Sequence, residues 1–158
     1  MCSGKMILVA LSIALIVGCA TTTTTTKMYT GEELPEEKIS VIRGSSGSLR
    51  VRVVAVDDEW VNCPQAGTSH GVEVLPGKHQ IRAIISRHTD SPFPLLPFGW
   101  VYFGDTSLGG RELELNVEAG HKYKIEAKEA SGKNAGFIIV VDTNTGEEIS
   151  RNPLGPRF

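Results

Sequence analysis

The chain has 158 residues, with 16 basic and 18 acidic side chains, 17 Gly, 8 Pro and 3 Cys. That length holds one ordinary domain. A formal charge of −2 excludes general nucleic-acid binding, which needs clustered basic charge, and three cysteines cannot build a disulfide framework.

Residues 1–18 read as a leader. Lys5 is the charge of a short n-region, and Met6 to Val17 is an apolar run of 12 residues. A spanning helix needs roughly 20 such residues, so the run suits the h-region of a secretory signal instead. It ends in Ile16-Val17-Gly18-Cys19, which resembles the lipobox of bacterial lipoprotein signal peptides. The resemblance implies cleavage between Gly18 and Cys19, a diacylglyceryl group on the Cys19 thiol and an acyl chain such as palmitate on the new amine. The chemistry agrees, because a thiolate is a good nucleophile for thioether formation and two or more acyl chains anchor stably where one does not. The membrane, reached through lipid on Cys19, is therefore the expected partner. Ala20, where an inner-membrane lipoprotein would carry Asp, implies an outer-membrane protein facing the periplasm in a Gram-negative cell. The alternative is an ordinary signal peptide with a chance cysteine. Cys2 leaves with the leader, and Cys63 then stands alone. With no neighbouring His or Lys to activate it, Cys63 is expected to be inert.

Residues 19–38 read as a lipidated cysteine and a disordered tether, since Thr21 to Thr26 is an unbroken threonine run with nothing to bury. A β-sandwich domain is expected over 39–150. Gly44 to Ser48 reads as a flexible link. Leu49 to Val56 alternates, with 49, 51, 53 and 55 apolar and Arg50 and Arg52 opposite, which predicts a half-buried strand. Asp57-Asp58-Glu59 predicts a polar turn with a short return at Trp60 and Val61. Pro76-Gly77 predicts a hairpin between 71–75 and 78–85. A second hairpin is predicted between Leu113–Val117 and Tyr123–Ala127, with Glu118-Ala119-Gly120 turning the chain. The two resemble each other, PGKHQIRA against AGHKYKIEA. Gly136 to Val141 is apolar on both faces and reads as a central strand. Asp142 to Gly146 is a turn, and 151–158 a loose tail. No long window shows helical periodicity, so the domain is expected to be all-β, a small antiparallel β-sandwich built from hairpins.

Together these elements resemble a group of small, uncharacterised bacterial lipoproteins. The shared pattern is carried by Tyr29, Gly31, Leu34 and Pro35; Val56-Asp57; Leu75-Pro76-Gly77-Lys78-His79; Ala119-Gly120-His121-Lys122-Tyr123; and Asp142 through Gly146. The chain is also similar to PEGA-like surface modules, small β-sandwiches without catalytic residues. The resemblance implies a fold and a location and no activity.

Four histidines follow the leader: His70, His79, His88 and His121. His79 and His121 each follow a turn glycine and would need to converge with further ligands to hold a metal. The favoured reading is that each imidazole bonds nearby backbone and fixes its turn. Asp142 to Gly146 starts like a calcium loop but places Gly where a ligand belongs, and Gly44-Ser45-Ser46-Gly47-Ser48 lacks the final Gly of a nucleophile elbow. No cofactor motif appears, and the chain is not expected to be an enzyme. Ser91 to Phe103 packs Phe93, Leu95, Leu96, Phe98 and Trp100 between prolines, which bar it from a central strand before Gly99. It reads either as a loop completing the core or as a contact surface for an envelope protein or the membrane. The sequence thus points to a lipid-anchored, non-catalytic interaction module. The alternative is a small-ligand or metal-binding lipoprotein using the sandwich mouth.

Overall fold

The computed structural model describes residues 24–62, 70–87, 92–95, 99–102, 106–130 and 136–154, with 92–95, 99–102 and Thr106 described through their backbone. The described strands, in chain order, begin with β1 Thr25–Lys27, β2 Ser40–Arg43, β3 Leu49–Val56, β4 Glu59–Trp60, β5 Gly71–Val74 and β6 Gly77–Arg87. They continue with β7 Pro92–Leu95, β8 Gly99–Tyr102, β9 Thr106–Val117, β10 Lys122–Glu129, β11 Gly136–Asp142 and β12 Glu148–Leu154. The only helical element among these residues is a single 3-10 turn at Glu36–Lys38. No helix among them is long and apolar enough to cross a membrane.

The fold is an all-β sandwich. One layer has six strands in the order β1-β5-β2-β10-β11-β12, and the other has four in the order β4-β3-β6-β9. Both layers contribute to one core: Ile42, Val72, Ile125, Ile138 and Val140 from the first, and Val51, Ile81, Ile85, Leu113 and Leu115 from the second. β-branched residues dominate, as suits a pleated surface buried on one side. Pairing is mixed, because β1–β5 and β2–β10 run parallel while the other pairs are antiparallel.

The two expected Gly-turn hairpins are corners between layers. β5 lies in the six-stranded sheet and β6 in the four-stranded one, and the same separates β10 from β9. Turn residues report that the chain reverses. They do not report whether the two arms then share a ladder or face each other across the core. Leu113, Leu115 and Val117 do share one core with Tyr123 and Ile125, but from opposite layers of the sandwich.

β3 alternates as expected up to Val53, where a bulge changes the phase. Val53 opposes Ala83, Ala55 opposes Arg82, and Val56 opposes Ile81. Ala55 stays buried, as its place in the alternation predicts, but opposite Arg82 and outside the main core cluster, which Val56 joins. Asp57 and Asp58, with φ of 49° and 65°, form the two-residue loop that joins Val56 to its partner Glu59. Positive φ at both positions is the type I′ geometry whose twist matches flanking strands. The expected short return exists as β4.

β11 is paired on both sides, as its two-faced apolar character predicts. Ile138 and Val140 enter the core, while Ile139 is buried on the opposite face between its cross-strand partners Glu126 and Arg151. The Arg151 guanidinium lies 5.5 Å from the Phe137 ring centroid. Long charged side chains can cover apolar surface this way while keeping their charge in water.

Three expected boundaries shift. Structure begins well before Ile39, because Thr25 and Thr26 lie in β1 beside β5. There Thr25 Oγ1 donates to Glu73 Oε1 at 2.5 Å, and Thr26 Oγ1 lies 2.6 Å from His70 Nε2. Threonine is β-branched, so part of a run that reads as a spacer adds a strand when an edge is offered. At the other terminus β12 runs to Leu154 and includes Pro153, tolerable on an edge strand. The 44–48 link is also packed rather than loose. A Cβ on Gly44 would lie 1.8 Å from the Val51 carbonyl oxygen, and the Val51 N–H donates to the Ser45 carbonyl at 3.0 Å.

Candidate functional site

The ladders assign every strand end to one of two ends of the sandwich. At the corner end, β5 passes into β6 and β9 into β10, β3 finishes at Val56, β11 finishes at Asp142 and β2 begins at Ser40. At the opposite end β1 begins, β2 passes into β3, and β6 and β9 are joined at the Arg87–Thr106 pair.

Both candidate histidines sit at the corner end, each held by an aspartate. His79 Nδ1 lies 2.6 Å from Asp57 Oδ2, and its Nε2 lies 2.7 Å from the Leu75 carbonyl oxygen. The other Asp57 oxygen accepts the Gln80 N–H at 2.8 Å. Burial alone would raise the Asp57 carboxyl, but the Gln80 N–H and His79 outweigh it and leave the pKa below its ordinary value. His79 therefore ties the β5–β6 corner to the β3–β4 turn. Both of its nitrogens are occupied by these contacts, which leaves neither open to a metal.

His121 repeats the device. Its Nδ1 lies 2.5 Å from Asp142 Oδ2, and Asp142 Oδ1 accepts the Asn144 N–H at 2.8 Å. Asp142 is 3% exposed. Burial pushes its carboxyl up, yet the bond from His121 and the backbone N–H groups of Asn144 and Thr145 hold it below the ordinary range. The same bond from Asp142 raises His121, against a smaller lowering by burial. Asn144 completes the tie: its Oδ1 accepts the Lys122 N–H at 3.1 Å and its Nδ2 donates to the Gly120 carbonyl at 3.1 Å. The Tyr123 hydroxyl accepts the Glu118 N–H at 2.9 Å, Ser40 Oγ donates to the Glu118 carbonyl at 2.5 Å, and the Gly120 N–H donates to the Ile39 carbonyl at 2.7 Å.

An Asp–His pair is also the orienting half of a catalytic triad. Here His121 Nε2 faces the Glu118 carboxylate at 3.7 Å, with no hydroxyl or thiol bonded to it among the described residues. The two pairs do not merge: no group of three or more His, Cys, Asp or Glu that could hold a metal occurs among the described residues. The 142–146 segment closes as a turn, with the Gly146 N–H on the Asp142 carbonyl at 2.7 Å.

The Asp partners of the histidines were not paired by the sequence reading, although a signal exists. Each aspartate ends an apolar strand, and each histidine sits within two residues of a corner glycine. The faint repeat between the two segments is this clasp made twice. The motif around Tyr29 is likewise a turn, with the Leu34 N–H on the Tyr29 hydroxyl at 3.3 Å and the Lys27 ammonium 4.8 Å from the ring centroid.

The outer face of the four-stranded sheet carries Trp60, which is 67% exposed. Arg82 lies over its ring at 5.9 Å and is held by Glu112 Oε1 at 2.8 Å. A shallow cleft of about 400 Å³ beside it is lined by Arg82, Gly110, Arg111 and Glu112. A second, of about 230 Å³, is lined by residues such as Thr25, Leu34, Ile39 and Glu73. Neither includes His79 or His121.

Of the contact-surface residues, Phe93 and Leu95 lie in β7 and Trp100 in β8, and these strands pair with each other. Leu96 and Phe98 lie outside the described residues, as do Gly18, Cys19, Cys63 and His88. Comparison with protein-family models, with curated proteins and with solved structures returned no match to this chain.

Proposed function

We propose that the chain is a lipid-anchored protein of the bacterial cell envelope, facing the periplasm from the outer membrane in a Gram-negative cell. It acts by contact and not by catalysis. The observation that carries this reading is Ile16-Val17-Gly18-Cys19 directly after a 12-residue apolar run. Two acyl chains hold such a protein at a bilayer. The fold is in keeping with an anchor on that side. The first strand among the described residues begins at Thr25, six residues after Cys19, so the entry end of the sandwich stays within ~20 Å of the lipid. The corner end, where the histidines act as clasps, lies farthest from it.

The test compares the protein purified from membranes with a Cys19→Ala variant by intact mass and by membrane fractionation. The wild type is expected to lack residues 1–18, to carry the added lipid mass and to sediment with membranes, while the variant does none of these. Two soluble, unlipidated proteins would overturn the proposal.

A further inference from the structure

The Arg87–Thr106 pair stands at the end of the sandwich where β1 enters, and the Arg87–Glu129 ion pair at 2.6 Å links the two sheets there. The chain between Arg87 and Thr106 therefore leaves and returns at the entry end. It carries β7 and β8, a two-stranded ribbon that belongs to neither main sheet. Its register sets Phe93 against Val101 and Leu95 against Gly99, alternating with Pro92 against Tyr102 and Pro94 against Trp100. None of these residues is charged, so the sequence supplies no polar face on either side of the ribbon. A lone two-stranded hairpin is marginal in water. Pro92 and Pro94 carry no N–H, so these alternate positions of β7 leave no unpaired donor where water is scarce. Trp and Tyr are the residues favoured where bilayer meets water.

We infer that the β7–β8 ribbon enters the interfacial layer of the bilayer that holds the Cys19 lipid, and that it sets the sandwich upright with its corner end away from the membrane. This rests on the lipid-anchored reading above. The strands of the ribbon span ~13 Å each at ~3.3 Å per residue, long enough to cross the headgroup region, which adds roughly 5–8 Å on each side of the hydrocarbon core. An envelope protein bound to the same ribbon is the competing outcome.

The two tryptophans of the chain make the test, because Trp60 lies on the outer face of the four-stranded sheet beside Arg82, midway along β6, and Trp100 in the ribbon. Full-length Trp60→Phe and Trp100→Phe proteins, purified from membranes, each keep one reporter. Each is placed in phosphatidylethanolamine–phosphatidylglycerol vesicles containing lipid brominated near the headgroup. Trp100 is expected to show blue-shifted emission, loss of intensity to the bromine and protection from acrylamide. Trp60 is expected to be silent to bromine and open to acrylamide, and circular dichroism of the same protein reports that the ribbon substitution leaves the fold intact. A Trp100 that is silent to bromine overturns the inference, whether acrylamide reaches it (a ribbon in water) or not (a ribbon against protein). A Trp60 quenched as strongly as Trp100 overturns the upright orientation. Intact mass on the same samples reads the anchor separately. Lipid mass with a bromine-silent Trp100 leaves the anchor standing alone, whereas bromine quenching without lipid mass leaves the ribbon standing alone.

Discussion

The packed crossover between β2 and β3 gives the sharpest test of the fold. Adding one methyl at Gly44 would put a carbon 1.8 Å from the Val51 carbonyl oxygen and 2.7 Å from its carbonyl carbon. Both obstacles are backbone, so no side chain can swing aside. Restoring even a tight contact requires the two segments to separate by more than an ångström. That motion breaks the 3.0 Å bond from the Val51 N–H to the Ser45 carbonyl, in a strand whose Val51 is fully buried. Leaving a buried backbone donor unmade costs about 1–3 kcal/mol, and overpacking adds about 1–3 kcal/mol. Gly44→Ala should therefore destabilise the protein by about 2–6 kcal/mol, a large share of the ~5–15 kcal/mol typical of a domain. Gly47→Ala is the matched control. Its Cβ would meet only the Leu49 carbonyl, at an ordinary 3.5 Å, so the reduced entropy of the unfolded chain should leave it neutral or up to ~1 kcal/mol more stable. Urea unfolding followed by circular dichroism, with m checked for constancy, separates the two. A Gly44→Ala midpoint within error of the Gly47→Ala midpoint would show that the crossover is not packed as described.

The His121–Asp142 clasp predicts a stability optimum in mildly acidic solution. His121 is raised from 6.5, so its contribution is complete below that pH and is lost as pH rises through the raised value. Asp142 is lowered from 3.8, so its contribution is complete above that pH and is lost as pH falls through the lowered value. Thermal melts from pH 3 to 9 should show His121→Ala losing its disadvantage on the alkaline side, and a difference constant with pH would refute the clasp. Asp58→Gly should stabilise by about 0.5–1 kcal/mol, since it relieves a left-handed φ at an exposed turn position. Asp57→Gly at the neighbouring position should destabilise, because His79 and the Gln80 N–H lose their acceptor. The bulge in β3 predicts that Val56→Ala costs about 2 kcal/mol while Val54→Ala costs less. Equal losses in chemical denaturation would place the bulge elsewhere.

What was legible followed from local physics. Alternation in Leu49–Val53, the two-faced apolar run in β11 and the absence of helical periodicity suffice for an all-β fold, because burial of one face imposes period two. The Asp57-Asp58 turn was legible because polar residues interrupt two apolar runs. The phase change at Val53–Ala55 was not, since Val54, Ala55 and Val56 are all apolar and any one of them could face inward. The edge strand β1 was hidden for a related reason. Six identical threonines carry no pattern, and only the open side of β5 decides which of them pair.

The corners show why the candidate site escaped the same reading. A turn followed by an alternating strand looks alike whether its arms share a ladder or lie in opposite sheets. What distinguishes them is the cost of the second case. A corner gives up the cross-strand hydrogen bonds that would fix a hairpin's end, so its backbone groups need other partners. At the β5–β6 corner His79 and Asp57 supply them, and at the β9–β10 corner Asn144, Tyr123 and Ser40 do, with an aspartate from a separate element holding each histidine: Asp57 from the β3 turn, Asp142 from the end of β11. The aspartates lie 22 residues before His79 and 21 after His121, so no single spacing rule could link them. The signal lay in the pairing of two observations, an aspartate at the end of an apolar strand and a histidine just beyond a corner glycine, found twice in one chain. The histidines hold the corner end of the sandwich closed, which is why we assign contact with other molecules to the uncharged ribbon between Arg87 and Thr106.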